Sequence, residues 1–97
     1  MMISPFDPAR RYRLSPEVAL RPEPFGALAY HFGNRRLCFL KVPELVEVVR
    51  GLGAYSSAGD AVSGLPGQDR AACLRALASL AAAGVIVPDG AGSAGQP

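Results

Sequence analysis

Apolar and polar positions alternate most sharply in the first half of the chain, on either side of Gly33-Asn34. The stretch FGALAYHFGNRRLCFLK reads as two strands, residues 25–32 and 35–41. The loop between them has two residues, Gly first, which suits a type II′ hairpin turn. That register sets Phe32 opposite Arg35, Tyr30 opposite Leu37 and Leu28 opposite Phe39. Because strand side chains alternate, Leu28, Tyr30, Phe32, Leu37 and Phe39 share one face. Ala27, Ala29, His31, Arg36, Cys38 and Leu40 share the other, which is smaller and more mixed. The larger face is expected to lie under helices, the only elements left to cover it. Upstream, Val18-Ala19-Leu20-Arg21 lies between Pro16 and Pro22 and reads as a short first strand, edge or bent.

The period then changes. In VPELVEVVRGL, Pro43 suits the first helical position, and Glu44 and Glu47 sit near the positive N-terminal end. Leu45, Val48, Val49 and Leu52 follow the i, i+3, i+4, i+7 spacing of one helical stripe, and Gly51 and Gly53 end it. The Gly-rich middle admits at most one short helix, around 57–63. A long helix runs from about 69 to 83, with Asp69 as N-cap, Gly84 as stop, and Leu74, Leu77, Leu80 and Ala81 facing inward. Val85-Ile86-Val87 is a short extended piece. Three short strands followed by three helices predict an α+β layer, a small antiparallel sheet with helices on one face.

Length and composition narrow the picture. Ninety-seven residues make one small domain, large enough for a core but not for a deep active-site cavity as well. Glycine and proline, at 11 and 9 residues, gather at the ends and in the middle. The organisation expected is a flexible arm over 1–11, a domain over 12–88 and a low-complexity tail over 89–97. The net charge is +2, a weaker basic footprint than nucleic-acid modules carry. No stretch has the apolar length of a signal peptide core or a membrane span. A cytoplasmic protein with two reduced thiols, Cys38 and Cys73, is therefore expected.

Catalytic chemistry is sparse. His31 is the single histidine and reads as a solvent-facing or locally hydrogen-bonded side chain, not as a general base. Two isolated cysteines cannot form a tetrahedral zinc site or an iron–sulfur centre. The glycines follow no phosphate-cradling pattern. No base is paired with either thiol. These absences point to a binding protein that uses no cofactor or metal.

The text RYRLSPEVALRPEPFGALAYHFGNRRLCFLKVPELVEVVRGL, with the later LRALASLAAAGVIVP, resembles the PqqD-like family of RiPP recognition elements, small chaperones of ribosomally made peptides. Within it, the block RPEPFGALAYHFGNRRL followed by a strand and PELVEVVRGL is similar to the mycofactocin chaperone subgroup. The resemblance covers roughly residues 10–88. It implies a winged helix-turn-helix-like fold, in which the precursor peptide adds as a strand along the third strand, facing the third helix. Carried over, the edge is Arg35, Arg36, Leu37, Cys38, Phe39, Leu40 and Lys41, and the helix contributes Arg70, Cys73, Leu74 and Leu77. The arginines and Lys41 would pair with acidic groups of the peptide. The implied partners are the mycofactocin precursor peptide and a radical S-adenosylmethionine maturase, with no nucleic acid and no membrane. A homodimer through the free sheet edge is a further expectation.

The architecture is shared with DNA-binding winged helix-turn-helix regulators, which makes that the second reading. The long helix offers only Arg70 and Arg75 among alanines, and a recognition helix needs more base-reading side chains than that.

Overall fold

The computed structural model of the chain describes residues 6–89. In chain order it holds β1 (Tyr12–Leu14), β2 (Val18–Glu23), β3 (Gly26–His31), β4 (Leu37–Leu40), α1 (Pro43–Arg50), a 3₁₀ turn (Leu52–Ala54), α2 (Ala58–Val62), α3 (Gly67–Ala82) and β5 (Ile86–Pro88). β2, β3 and β4 form an antiparallel sheet in that order, and β1 pairs with β5 in a separate two-stranded ribbon. The three-stranded sheet and three helices match the pattern read from the chain. The ribbon was not anticipated, and β2 runs through Pro22 to Glu23 instead of ending at Arg21.

Tyr30 pairs with Leu37 and Leu28 with Phe39, the register expected. The turn that produces it differs. The loop takes in residues 32–35, closed by the Arg35 N–H donating to the His31 carbonyl at 2.7 Å and the His31 N–H donating to the Arg36 carbonyl at 2.9 Å. The left-handed residue is Arg35, at φ 63°, not Gly33. Two sets of bonds explain the change. The Phe32 N–H, which a two-residue turn would direct at Arg35, donates to the Glu17 carbonyl at 2.8 Å. The His31 ring folds under the loop, and its Nδ1 accepts from the N–H groups of Gly33 at 3.0 Å and Asn34 at 3.2 Å.

The assignment of faces is reversed. The helices cover the side of Ala27, Ala29, His31 and Leu40, all buried, and leave Phe32, Leu37 and Phe39 exposed. α1 lies against β3 and β4, and its Leu45, Val48 and Val49 are buried there together with Leu52. Ala27 and Ala29 carry only a methyl group, so the branched side chains of α1 reach down to the strand and fill the interior themselves. Close packing, not the summed bulk of one face, selects the buried side.

α2 is capped by Ser57, whose Oγ accepts the Asp60 N–H at 3.1 Å. α3 starts at Gly67 with Pro66 in the cap position, which moves Asp69 from the cap into the first turn. Its buried residues are Cys73, Leu77 and Leu80. Leu74 and Ala81 are only partly covered, and Cys73 takes the inward place instead. Gly84, at φ +80°, ends the helix. There the Val85 N–H reaches the Leu80 carbonyl at 2.9 Å and the Gly84 N–H the Ala81 carbonyl at 3.1 Å, the two bonds of a Schellman stop. β5 then pairs with β1, setting Leu14 opposite Ile86. Tyr12, Val85 and Ile86 are buried where the ribbon seals the helical layer.

Of the expected arm, residues 6–11 are irregular but bonded. The carbonyls of Arg10 and Pro8 accept the N–H groups of Ala58 and Gly59, at 2.9 and 2.8 Å, in the first turn of α2. Residues 1–5, and the expected tail beyond Asp89, lie outside the described residues.

Candidate functional site

The two edges of the sheet differ in what their backbones offer. Along an antiparallel strand, residues alternate between those that bond the neighbouring strand and those that face away. The bond from His31 to Arg36 fixes the phase on β4. Cys38, opposite Ala29, and Leu40, opposite Ala27, turn their N–H and C=O groups toward β3. Leu37 and Phe39 turn theirs to the free edge, where no described residue engages them.

On β2 the bond between Phe32 and Glu17 sets the opposite phase. There Ala19, Arg21 and Glu23 bond β3, and Val18, Leu20 and Pro22 face outward. The Val18 N–H is already held by the Ser15 carbonyl at 3.0 Å, and proline has no N–H. Leu20 is the one outward donor left on β2. β4 is therefore the edge of this sheet able to accept another strand.

Next to the C-terminal end of β4 lies a cleft of about 320 Å³ between the start of α1 and the outer side of α3. Val42, Leu45, Ala72, Cys73 and Ala76 line it, with Glu44 and Asp69. The cleft exists because Ala72 and Ala76, one turn apart on α3, are too short to fill the space against α1. Burial pushes the Cys73 thiol above its ordinary range, and the Asp69 and Glu44 carboxylates push it further the same way. A protonated, buried thiol lines the cleft as an apolar group, not as a nucleophile.

The residues expected at the site separate into distinct locations. Leu37 and Phe39 project away from the helices, and both are more than half exposed, at 57% and 62%. Cys38 is half-buried on the helix side, and Leu40 belongs to the core. Arg35 and Arg36 sit at the loop end of β4 and Lys41 follows its other end, all three exposed. Arg70 is exposed at the start of α3. Among the described residues the cations in ion pairs are Arg11, Arg13 and Arg21, so Arg35, Arg36, Lys41 and Arg70 form none. Cys73 lines the cleft, Leu74 is half-buried and Leu77 is wholly inside the core. Val42, Glu44, Leu45, Asp69, Ala72 and Ala76 were not anticipated. Ala72 and Ala76, a small pair at i, i+4 beside Cys73, were the available signal.

The open strand edge thus lies beside an apolar cleft, and no group of side chains among the described residues could hold a metal ion. The model of the peptide chaperone MftB family matches residues 11–87.

The chain belongs to the peptide chaperone MftB family.

It is 47% identical over 87 residues to peptide chaperone MftB of Mycobacterium tuberculosis, covering 88% of this chain and 80% of the relative. Identity to the protein of the same name from Mycobacterium ulcerans is 46% over 85 residues, covering 86% of this chain and 78% of that one. The counterpart from Mycolicibacterium smegmatis is also 46% identical over 85 residues, covering 86% and 83%. All three relatives are named as chaperones, not as enzymes. No solved structure gives a significant match. The family match takes in β1 through β4, all three helices and the start of β5, so the free edge and the cleft both fall inside it.

Proposed function

We propose that this chain is a peptide chaperone of mycofactocin biosynthesis. It binds an MftA-like precursor peptide and presents it to an MftC-like radical S-adenosylmethionine maturase, which modifies the C-terminal valine–tyrosine pair. The chaperone itself is not an enzyme and uses no cofactor. It works in the cytoplasm as a winged helix-turn-helix-like domain spanning 12–88.

The free edge of β4 is the observation that carries this reading. A peptide strand pairs with the outward N–H and C=O groups of Leu37 and Phe39. Main-chain bonds then supply affinity, and alternate side chains supply selectivity. Side chains on the helix side of the added strand enter the cleft floored by Ala72, Cys73 and Ala76. Arg35, Arg36, Lys41 and Arg70, free of ion pairs among the described residues, take carboxylates of the peptide. Holding the peptide beside the enzyme raises its effective concentration without any catalytic group on the chaperone. A DNA-binding role finds no support in α3, whose cations are Arg70 and Arg75 alone.

The test is calorimetric titration of the precursor peptide into the wild type and Phe39→Pro, with a scrambled peptide as control. Proline at position 39 removes an outward N–H and leaves the ladder with β3 intact. Saturable one-to-one binding to the wild type, weakened by roughly tenfold or more in the variant, is expected. Equal affinity for both proteins would remove strand addition at β4.

A further inference from the structure

The sheet face turned away from the helices takes no part in strand pairing at β4. It carries one continuous apolar surface. Leu28 and Tyr30 on β3 face Phe39 and Leu37 on β4. Phe25 meets Phe39 edge-on at 5.9 Å, and Phe32 meets Tyr30 at 5.2 Å. Phe25, Phe32, Leu37 and Phe39 are all exposed. A small protein does not ordinarily leave contiguous aromatic surface in water without a use for it. Aromatic side chains are also the type enriched in the centres of protein interfaces.

The charges around this surface select the occupant. Residues 15–41 hold four cations, Arg21, Arg35, Arg36 and Lys41, against two carboxylates, Glu17 and Glu23. Glu23 is already paired with Arg21 at 3.3 Å, and Arg35, Arg36 and Lys41 are exposed without an ion pair among the described residues. A second copy docked face to face would set cations against cations, which like-charge repulsion disfavours. A strand added at β4 lies in the plane of the sheet and leaves this face open.

We infer that the outer face of the β2-β3-β4 sheet is a second docking surface, occupied by a folded protein partner whose own apolar patch is rimmed by carboxylates. This inference deepens the proposed function and rests on it for the choice of partner. The maturase is the protein that must meet the chaperone while the peptide occupies the β4 edge.

Phe25 and Phe32 separate the two surfaces, because they lie in the turns at the two ends of β3, off the free edge. The full-length chain, its Phe25→Ser/Phe32→Ser variant and the single Phe32→Ser variant are each measured in two ways. One is calorimetric binding of the precursor peptide; the other is binding to immobilised maturase at low salt and at about 0.5 M salt. The double variant is expected to keep peptide affinity within about twofold and lose roughly tenfold or more of its affinity for the maturase. The single variant should lose a smaller share, and salt should weaken the wild-type complex. Circular dichroism melts confirm that the variants are folded, and Phe32→Ser alone decides the matter if the double variant is not. Unchanged maturase binding by folded variants overturns the inference, as does failure of the wild type to bind the maturase. A wild-type dimer in light scattering that the substitutions dissolve would assign the face to self-association instead. Failure of the wild type to bind the peptide, with maturase binding still sensitive to Phe25 and Phe32, would overturn the peptide reading and leave this face as a partner site.

Discussion

The ring of Phe25 meets that of Phe39 edge-on, at 5.9 Å between centroids and 84° between planes, on the side of the sheet that no helix covers. On β3 the residues on either side of Leu28, the cross-strand partner of Phe39, point the other way, and Ala27 and Ala29 are fully buried beneath α1. Bulk therefore faces water and small side chains face the core.

That reversal makes an unusual pair of expectations about substitution. Phe39→Ser should lose about 1 kcal/mol or less, because an exposed aromatic gives up mainly its partner contact. Ala29→Leu, which adds apolar volume, should lose about 1–3 kcal/mol by overpacking against α1. Urea unfolding of the two variants gives the ranking. The opposite order would mean that the helices cover the other face.

Gly26 opens β3 at φ +146°, and a methyl group added there would run into the carbonyl oxygen of Leu40. The conformation and the contact both exclude a side chain. Gly26→Ala is expected to cost about 2 kcal/mol or more, a loss of roughly 10 °C in melting temperature for a domain of this size. Thermal melts followed by circular dichroism check it.

Arg35 holds a left-handed conformation that glycine adopts freely. Arg35→Gly should hold or raise stability, by up to about 1 kcal/mol. The same change should weaken the precursor peptide by removing a cation at the end of the free edge. Melting and calorimetric titration of one variant thus move in opposite directions if Arg35 is kept for binding and not for folding.

The buried Cys73 thiol predicts a pH dependence. Its folded-state pKa lies above the unfolded one, because burial and then Asp69 and Glu44 disfavour the thiolate. Below the unfolded pKa both states hold the proton and the contribution is fully present. As pH rises through the unfolded value of about 9.0, the unfolded chain releases its proton first and stability falls until the folded thiol titrates too. Denaturation midpoints measured between about pH 7 and 10 should decline in the wild type, and Cys73→Ala should flatten that part of the decline.

Much of this protein is determined by short-range pattern. The β3–β4 register follows from the alternation on either side of the loop, and the α1 stripe from Leu45, Val48, Val49 and Leu52. The Ser57 cap and the Gly84 stop are also local, since a side-chain oxygen or a missing Cβ acts within one turn of chain. The candidate edge was legible because residues 35–41 close the run of strands. Four things depended on contacts far apart in sequence. The turn geometry came from the Glu17 carbonyl taking the Phe32 N–H, and the ribbon from pairing residues 12–14 with 86–88. The cleft came from two helices meeting where Ala72 and Ala76 are too short to fill the space between them. Which sheet face is buried was decided in the same way. Alternation sorts side chains into two sets, but it carries no information on which set a helix can approach, and α1 approaches the side where Ala27 and Ala29 leave room.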